Sequence, residues 1–306
     1  MLRYIGKRAL QALIVMFIVM VAAFFLVRMA PGSPAMLYLP SEATPEMIAA
    51  TEARLGLDKP LYEQFWNYVK NLVQGDLGMS SSYNQPVLRI ILQRLPNTLM
   101  LAGGTVLIGC LLSIPLGIIA GTHRGKPIDF FAMLFALLGQ SMSSMWLGVL
   151  LIYFFAVRLG WLPAMGTGGL RFLILPVLSL GYPMAAGITR IARSGMADTL
   201  QEDYITATYA KGIGRFKVYT KYALRNAMIP VSTMIGLNLG IFLAGSVVVE
   251  TVFAWNGIGS LLNQSVNARD YNMVQALLLI SAFMFTLINL VVDIINSYID
   301  HRLTLT

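Results

Sequence analysis

The sequence predicts an all-α, polytopic membrane protein with about six transmembrane helices. Of its 306 residues, 57% are hydrophobic and 12% are charged, against about 25% charged in an average soluble domain. Mean hydropathy is +0.70. The apolar residues collect in separate runs, each at or near the ~20 residues that a helix needs to cross a bilayer. Lys and Arg outnumber Asp and Glu by 22 to 14. The positive charges gather in short segments beside the apolar runs, which is how a membrane protein sets its topology and unlike a nucleic-acid-binding face.

The first run, Ala9–Val27, follows Arg3, Lys7 and Arg8. At roughly 19 residues it exceeds a signal-peptide core and can span a membrane. No small-x-small cleavage site follows in Arg28–Ser33, so residues 1–28 are read as a retained first helix. Residues 29–96 form the one sizeable non-membrane segment. Within it, Thr44-Pro45-Glu46 supplies an N-cap, an N1 proline and a first-turn acid, and Gly56 ends that helix. A second helix is expected from Pro60 to near Gly75. Its stripe of Leu61, Phe65, Tyr68, Val69, Leu72 and Val73 can pack on the chain's own spans or on a partner.

The five-helix core, 97–306, holds spans near Thr98–Gly121, Phe130–Val157, Phe172–Ile191, Ile229–Phe253 and Val274–Ile299. Arg3, Lys7 and Arg8, Arg124 and Lys126, the cluster from Arg190 to Arg225, and Arg302 fall on one side. The two short loops opposite offer only Arg158, Arg171 and Arg269. The positive-inside rule therefore places both termini in the cytoplasm. Cys110 is the lone cysteine, and His123 and His301 stand far apart. No metal-ligand cluster is expected.

Polar residues inside the spans are candidate pathway groups, because unpaired polar groups in hydrocarbon are costly. Gln140, Ser141, Ser143 and Ser144 interrupt the third span, either to line a passage or to form an interhelical hydrogen-bond cluster. Pro176 and Pro183 favour bending of the fourth span. Gly236, Gly240 and Ala244 form a small-residue ridge for close packing, within the chain or against a second one. Glu250 lies near the end of the fifth span, where it can reach outer water. Asp293 on the sixth can pair with Asn289 or reach the inner interface.

A polar stretch, within loop 192–228, carries the most specific signal. Asp203 is a candidate N-cap and Gly212 a candidate stop. Ala207, Ala210 and Gly214 fall at i, i+3 and i+7, giving a nearly bare face that another backbone can approach. Tyr204 and Tyr209 can anchor such a contact. The stretch resembles the cytoplasmic coupling loop of binding-protein-dependent ABC importers, especially permeases of the peptide/nickel family. Where the family pattern has Glu-Ala-Ala, this chain reads Thr206-Ala207-Thr208. Ala210-Lys211-Gly212 matches the peptide-type form. Without a Glu at position 206 no capping box with Asp203 can form.

The resemblance runs from end to end. Leu55–Leu61 and Gly75–Gly78 look like family landmarks. Phe253–Gly259 resembles its Trp-Pro-Gly-Leu-Gly turn, with Asn256 replacing proline, and Arg269-Asp270-Tyr271 follows. Ser143 stands where the family has proline, which leaves a local kink open.

The resemblance implies a type I ABC importer permease fold and one half of a pathway for short peptides, with nickel, a nickel chelate or glutathione as alternative cargo. It implies ATPase coupling through Tyr204, Thr206, Ala207, Ala210, Lys211, Gly212 and Gly214. The partners it implies are a second homologous permease chain, two ABC ATPase subunits and an extracytoplasmic substrate-binding protein in a bacterial cytoplasmic membrane. ATP and Mg would be held by the ATPases, with no cofactor in this chain. No Gly-x4-Gly-Lys-Ser/Thr loop, Gly-x-Ser-x-Gly elbow or His-Glu-x-x-His helix is present, so the chain itself is not expected to be an enzyme. An ion-coupled secondary transporter using Glu250 or Asp293 is the reading from another class, but its inverted repeats are not evident. A non-transporting membrane scaffold is the third.

Overall fold

A computed structural model describes residues 2–29, 39 and 44–299. Among them, regular structure is helical throughout, apart from one isolated antiparallel bridge, Met79–Pro86. Helix α1 spans Leu2–Met29. Helices α2 (Pro45–Leu55) and α3 (Leu61–Val73) follow it. Thr44 caps α2 by accepting from the Met47 amide, and Gly56 closes it in the left-handed region at φ 68°. On α3, Phe65 and Tyr68 pack against Phe24 of α1, with ring centroids 5.1 and 5.9 Å apart. The apolar stripe thus seats partly on the chain's own first span, while Leu61 and Val73 remain exposed.

Helix α4 runs from Val87 to Thr122, so it starts well before the expected Thr98. Arg89, Arg94 and Pro96 interrupt the apolar run and hide this first part from a hydropathy reading. Val87, Ile90 and Ile91 nevertheless present one buried face to Ile258, Leu261, Met273 and Leu277, the i, i+3, i+4 spacing of an amphipathic helix. The 96/97 boundary therefore falls inside one continuous helix.

Helices α5 (Pro127–Ser141) and α6 (Ser144–Leu151, continued as a π-helix over Ile152–Arg158) form an apolar pair bent by 99°. The break occurs at Met142, which is extended at φ −90°, ψ 130°, although Ser143 stands in place of the family proline. Helix α7 (Leu170–Thr199) passes through Pro176 and Pro183 without interruption. Asp129 at the start of α5 accepts both Nε and Nη2 of Arg193 and the Gly125 amide, tying α5 to α7.

After α7 come α8 (Asp203–Ala210), the short α9 (Arg215–Lys217), a π-helical stretch Val218–Ala223, and α10 (Leu224–Leu243). The fifth span ends here, not at Phe253. Gly245, at φ 106°, turns the chain, and its Cα side passes so close to Gly259 that a Cβ would lie 3.0 Å from the Gly259 Cα. Residues 247–252 then form the separate α11, followed by α12 (Ile258–Asn267) and α13 (Tyr271–Ile299). Hydropathy misses this break because Val247–Phe253 continues the apolar run. Among the described residues, five helical stretches are long and apolar enough to cross a membrane, and the bent α5–α6 pair adds a sixth if it counts as one span.

Asp270, 1% exposed, joins the loop between α3 and α4 to α13. It accepts from Ser80 Oγ and the Ser82 amide, and its other oxygen caps the Met273 amide at 3.2 Å. The Arg-Asp-Tyr landmark is thus, physically, a helix cap that also clamps a loop.

The central contact is between α4 and α7, and small residues make it possible. A Cβ at Gly104 would stand 2.9 Å from Val177, one at Gly109 2.9 Å from Met184 Sδ, and one at Gly121 2.7 Å from Met196; at Gly117 it would overlap the Ala192 methyl. The ridge on α10 packs within the chain: Gly236 lies under Val292 and Gly240 under the Phe285 ring of α13. Neither glycine is thus available to a second permease. Overfilling such a contact costs ~1–3 kcal/mol. Gly117→Val is therefore expected to lower the melting temperature of the detergent-solubilised chain, and Gly103→Val to leave it unchanged, since a Cβ there meets nothing within 4 Å. Thermal unfolding of the two variants checks this.

Candidate functional site

Helix α8 is held on one side and bare on the other. Ile205 and Thr208 are buried, and Ile205 joins Met196, Val218, Ala223 and Ala227 in an apolar cluster. Tyr204, Thr206, Ala207, Tyr209, Ala210, Lys211, Gly212 and Gly214 are exposed. The N-cap position belongs to Glu202, at φ −70°, ψ 144°, with no side-chain capping bond, and Asp203 is the first helical residue. Asp203 therefore acts through the helix dipole and not as a cap. Gly212 ends the helix at φ 76°, a left-handed turn that side chains with a Cβ resist.

The helix stops at Ala210, so Ala207 and Ala210 share a helical face while Gly214 sits beyond it, as the N-cap of α9. Tyr204 faces inward at its tip: its hydroxyl accepts from Asn226 Nδ2 at 2.8 Å and donates to the Tyr222 carbonyl at 3.4 Å. It therefore fastens α8 to the foot of α10. Burial, and then the neighbouring Tyr219, raise the Tyr209 phenol above its usual range. Phe216, 81% exposed, extends the bare surface. Its signal in the sequence is a large aromatic just after the Gly-x-Gly turn in a charged loop.

The α5–α6 break exposes Gln140, Ser141 and Ser143 and half-buries Ser144. Ser141 Oγ donates back to the Leu137 carbonyl at 2.9 Å. On the opposite face, Gly139 sits against Ala186 and Tyr182, and the Tyr182 hydroxyl donates to the Phe135 carbonyl. The bend thus leaves Ser141, Ser143 and interrupted backbone exposed on the chain's surface, while the Gln140 amide lies along Gly187 of α7. Such groups are tolerated at membrane depth against water or protein, but not against lipid.

Glu250 is fully buried and does not reach outer water. Its carboxylate accepts from the Ser260 amide at 2.8 Å and from Thr98 Oγ1 at 3.3 Å, while Thr98 Oγ1 accepts from the Ile258 amide at 2.8 Å. One carboxylate therefore caps the N-terminus of α12 and anchors it to α4. Gly257 is required beside it, because a Cβ would stand 2.5 Å from Glu250 Oε2. Trp255, 1% exposed, donates from Nε1 to the Asn97 carbonyl, and Asn97 Nδ2 donates to the Asn256 carbonyl. The turn that carries Asn256 instead of proline is thus pinned to α4 from both sides. Asp293 pairs with Arg8 of α1 at 3.2 Å, not with Asn289.

Residues 113–305 match the family described as "Binding-protein-dependent transport system inner membrane component", and residues 1–102 match the N-terminal part of such membrane components. The chain is 44% identical over 300 residues, 98% of both lengths, to the "Glutathione transport system permease protein GsiC" of Escherichia coli strain K12, and equally to that of Shigella dysenteriae serotype 1. Among solved structures it resembles a chain of the MetNI methionine ABC transporter in its inward-facing conformations, with TM-score 0.58 and 18% identity, covering 70% of this chain and 97% of that one. It also resembles an amino acid ABC transporter crystallised with histidines, with TM-score 0.52 and 19% identity, covering 70% of this chain and 94% of that one. These two likenesses concern the fold.

Proposed function

We propose a role in short-peptide import for this chain, which belongs to the binding-protein-dependent transport system inner membrane components and is a permease of an ABC importer. The observation that carries the coupling part of this reading is α8, a short helix fastened to the bundle by Ile205, Thr208 and Tyr204 and bare over Ala207 and Ala210. A separate ATPase would press on that bare face. Because α8 shares an apolar cluster with the ends of α7 and α10, displacing it tilts two spans at once. Coupling at a distance needs such a two-position element that both sites bias.

The full assembly would contain a second homologous permease, two ATPases holding ATP and Mg, and an extracytoplasmic binding protein. The polar α5–α6 break, with Ser141 and Ser143 exposed and Gln140 beside α7, supports a passage or a permease–permease contact at that face. The full-length likeness to a glutathione permease supports the alternative cargo, glutathione, which as a tripeptide is chemically close to the short-peptide reading. A strain lacking this chain should lose uptake of labelled di- and tripeptides or of glutathione while accumulating nickel normally. Loss of nickel accumulation with peptide and glutathione uptake intact would overturn the peptide reading.

The charge asymmetry supports a cytoplasmic location for both termini and α8. Ser80 is buried against Asp270, so accessibility is better read at exposed Gln85. In a Cys110→Ser background, Gln85→Cys should react with an impermeant maleimide from outside and Lys217→Cys only from inside. The reverse pattern would overturn the orientation.

A further inference from the structure

Between α1, α3, α13 and the 76–78 turn lies a cavity of about 240 Å³ that shares no lining residue with α8 or with the α5–α6 break. Its walls carry hydrogen-bond donors that the fold leaves unused. Gln275 is 6% exposed and its side chain faces the Tyr68 hydroxyl closely enough to act on it, yet neither Gln275 Nε2 nor Tyr68 Oη completes a hydrogen bond of good geometry with any protein group. A buried polar atom without a partner costs ~1–3 kcal/mol and calls for an explanation.

Arg28 lines the same cavity, beyond the apolar stretch Gly6–Leu26 of α1. Its Nε donates to Gln64 Oε1 at 3.0 Å, its Nη1 to the Phe24 carbonyl at 3.2 Å, and its Cζ stacks 3.5 Å over the Phe24 ring. The guanidinium is therefore fixed in place, but no carboxylate pairs with it among the described residues. Burial lowers its pKa to about 10 and pushes the Tyr68 phenol to about 12, as expected where a cation and an O–H donor lack an anionic neighbour. Asp76 stands in the same lining, with Oδ1 taken by the Gly78 amide at 2.8 Å.

We propose that this cavity binds the α-carboxylate of a free amino acid or short peptide. Arg28 holds the carboxylate, Gln275 and Tyr68 donate to it, and Asp76 receives the ligand's ammonium. A planar guanidinium with two further donors suits a carboxylate. The acid in the same lining suits a zwitterion and repels a multiply charged anion such as phosphate. The site requires neither ATP nor α8, so it stands apart from the transport reading and can fail without it.

The test uses the full chain in lipid nanodiscs and saturation-transfer NMR. Glycylglycine and glycine should both show saturation transfer and compete with each other, whereas glycinamide, which lacks the carboxylate, should not. Tyr68→Phe and Gln275→Met should each weaken glycylglycine binding about tenfold, the loss of one hydrogen bond to a charged group. Arg28→Gln should abolish it. Arg28 also braces α1 against α3, so if that variant misfolds the two milder ones decide. Equal signals from glycinamide and glycylglycine, no signal from any of the three, or unchanged binding in both Tyr68→Phe and Gln275→Met would overturn the proposal.

Discussion

Glu250→Ala is expected to be the most damaging single substitution in this chain. It removes the acceptor for the Ser260 amide and for Thr98 Oγ1, both buried. Loss of a helix cap costs ~0.5–2 kcal/mol, and each buried donor left unpaired adds ~1–3 kcal/mol. The damage falls where α11, α12 and α4 meet, so the Trp255 turn loses its seat and uptake should fall with stability. Glu250→Gln should be far milder. Its amide oxygen can still accept from the Ser260 amide, and its nitrogen can donate to Thr98 Oγ1. The melting temperature of the purified chain and peptide uptake by cells carrying each variant check this together. Wild-type stability and uptake in Glu250→Ala would show that the carboxylate is dispensable. Severe loss in Glu250→Gln would instead point to a role for its charge.

What could be read in the sequence was local. Thr44, Gly56, Pro60 and Gly75 mark their helix ends because a cap is a contact between residues a few positions apart. The spans are legible because a bilayer imposes length and apolarity on each helix separately. Hidden features depend on distant partners. The first turns of α4 are amphipathic against α12 and α13, so Arg89 and Pro96 mask them. The end of α10 is set by Gly245 crossing Gly259, which a hydropathy window over Val247–Phe253 cannot register. The glycines of α4 at 104, 109, 117 and 121 face α7 without a constant spacing, whereas the evenly spaced pair on α10 was visible and its partner, α13, was not. Among the candidate site residues, the exposed face of α8 followed from residue size. The cap role of Glu250 and the Arg8–Asp293 pair did not, since each joins helices far apart in the chain.

The coupling surface makes the second large prediction. Ala207 and Ala210 are exposed and small, so a tryptophan at either position crowds an approaching ATPase without touching the buried Ile205 and Thr208 face. Gly212→Val acts differently: a β-branched residue resists the left-handed conformation at φ 76°, which shifts the end of the helix. The spans should stay folded in all three variants, because Ile205, Val218 and Ala227 keep their packing. The measurement is ATP hydrolysis by the reconstituted complex of permeases and ATPases, with and without peptide-loaded binding protein. Ala207→Trp, Ala210→Trp and Gly212→Val should lose stimulation by the loaded binding protein, or fail to retain the ATPase on purification, while each variant chain melts like wild type. Wild-type stimulation in all three would contradict this, and α8 would not be the element through which ATP drives this permease.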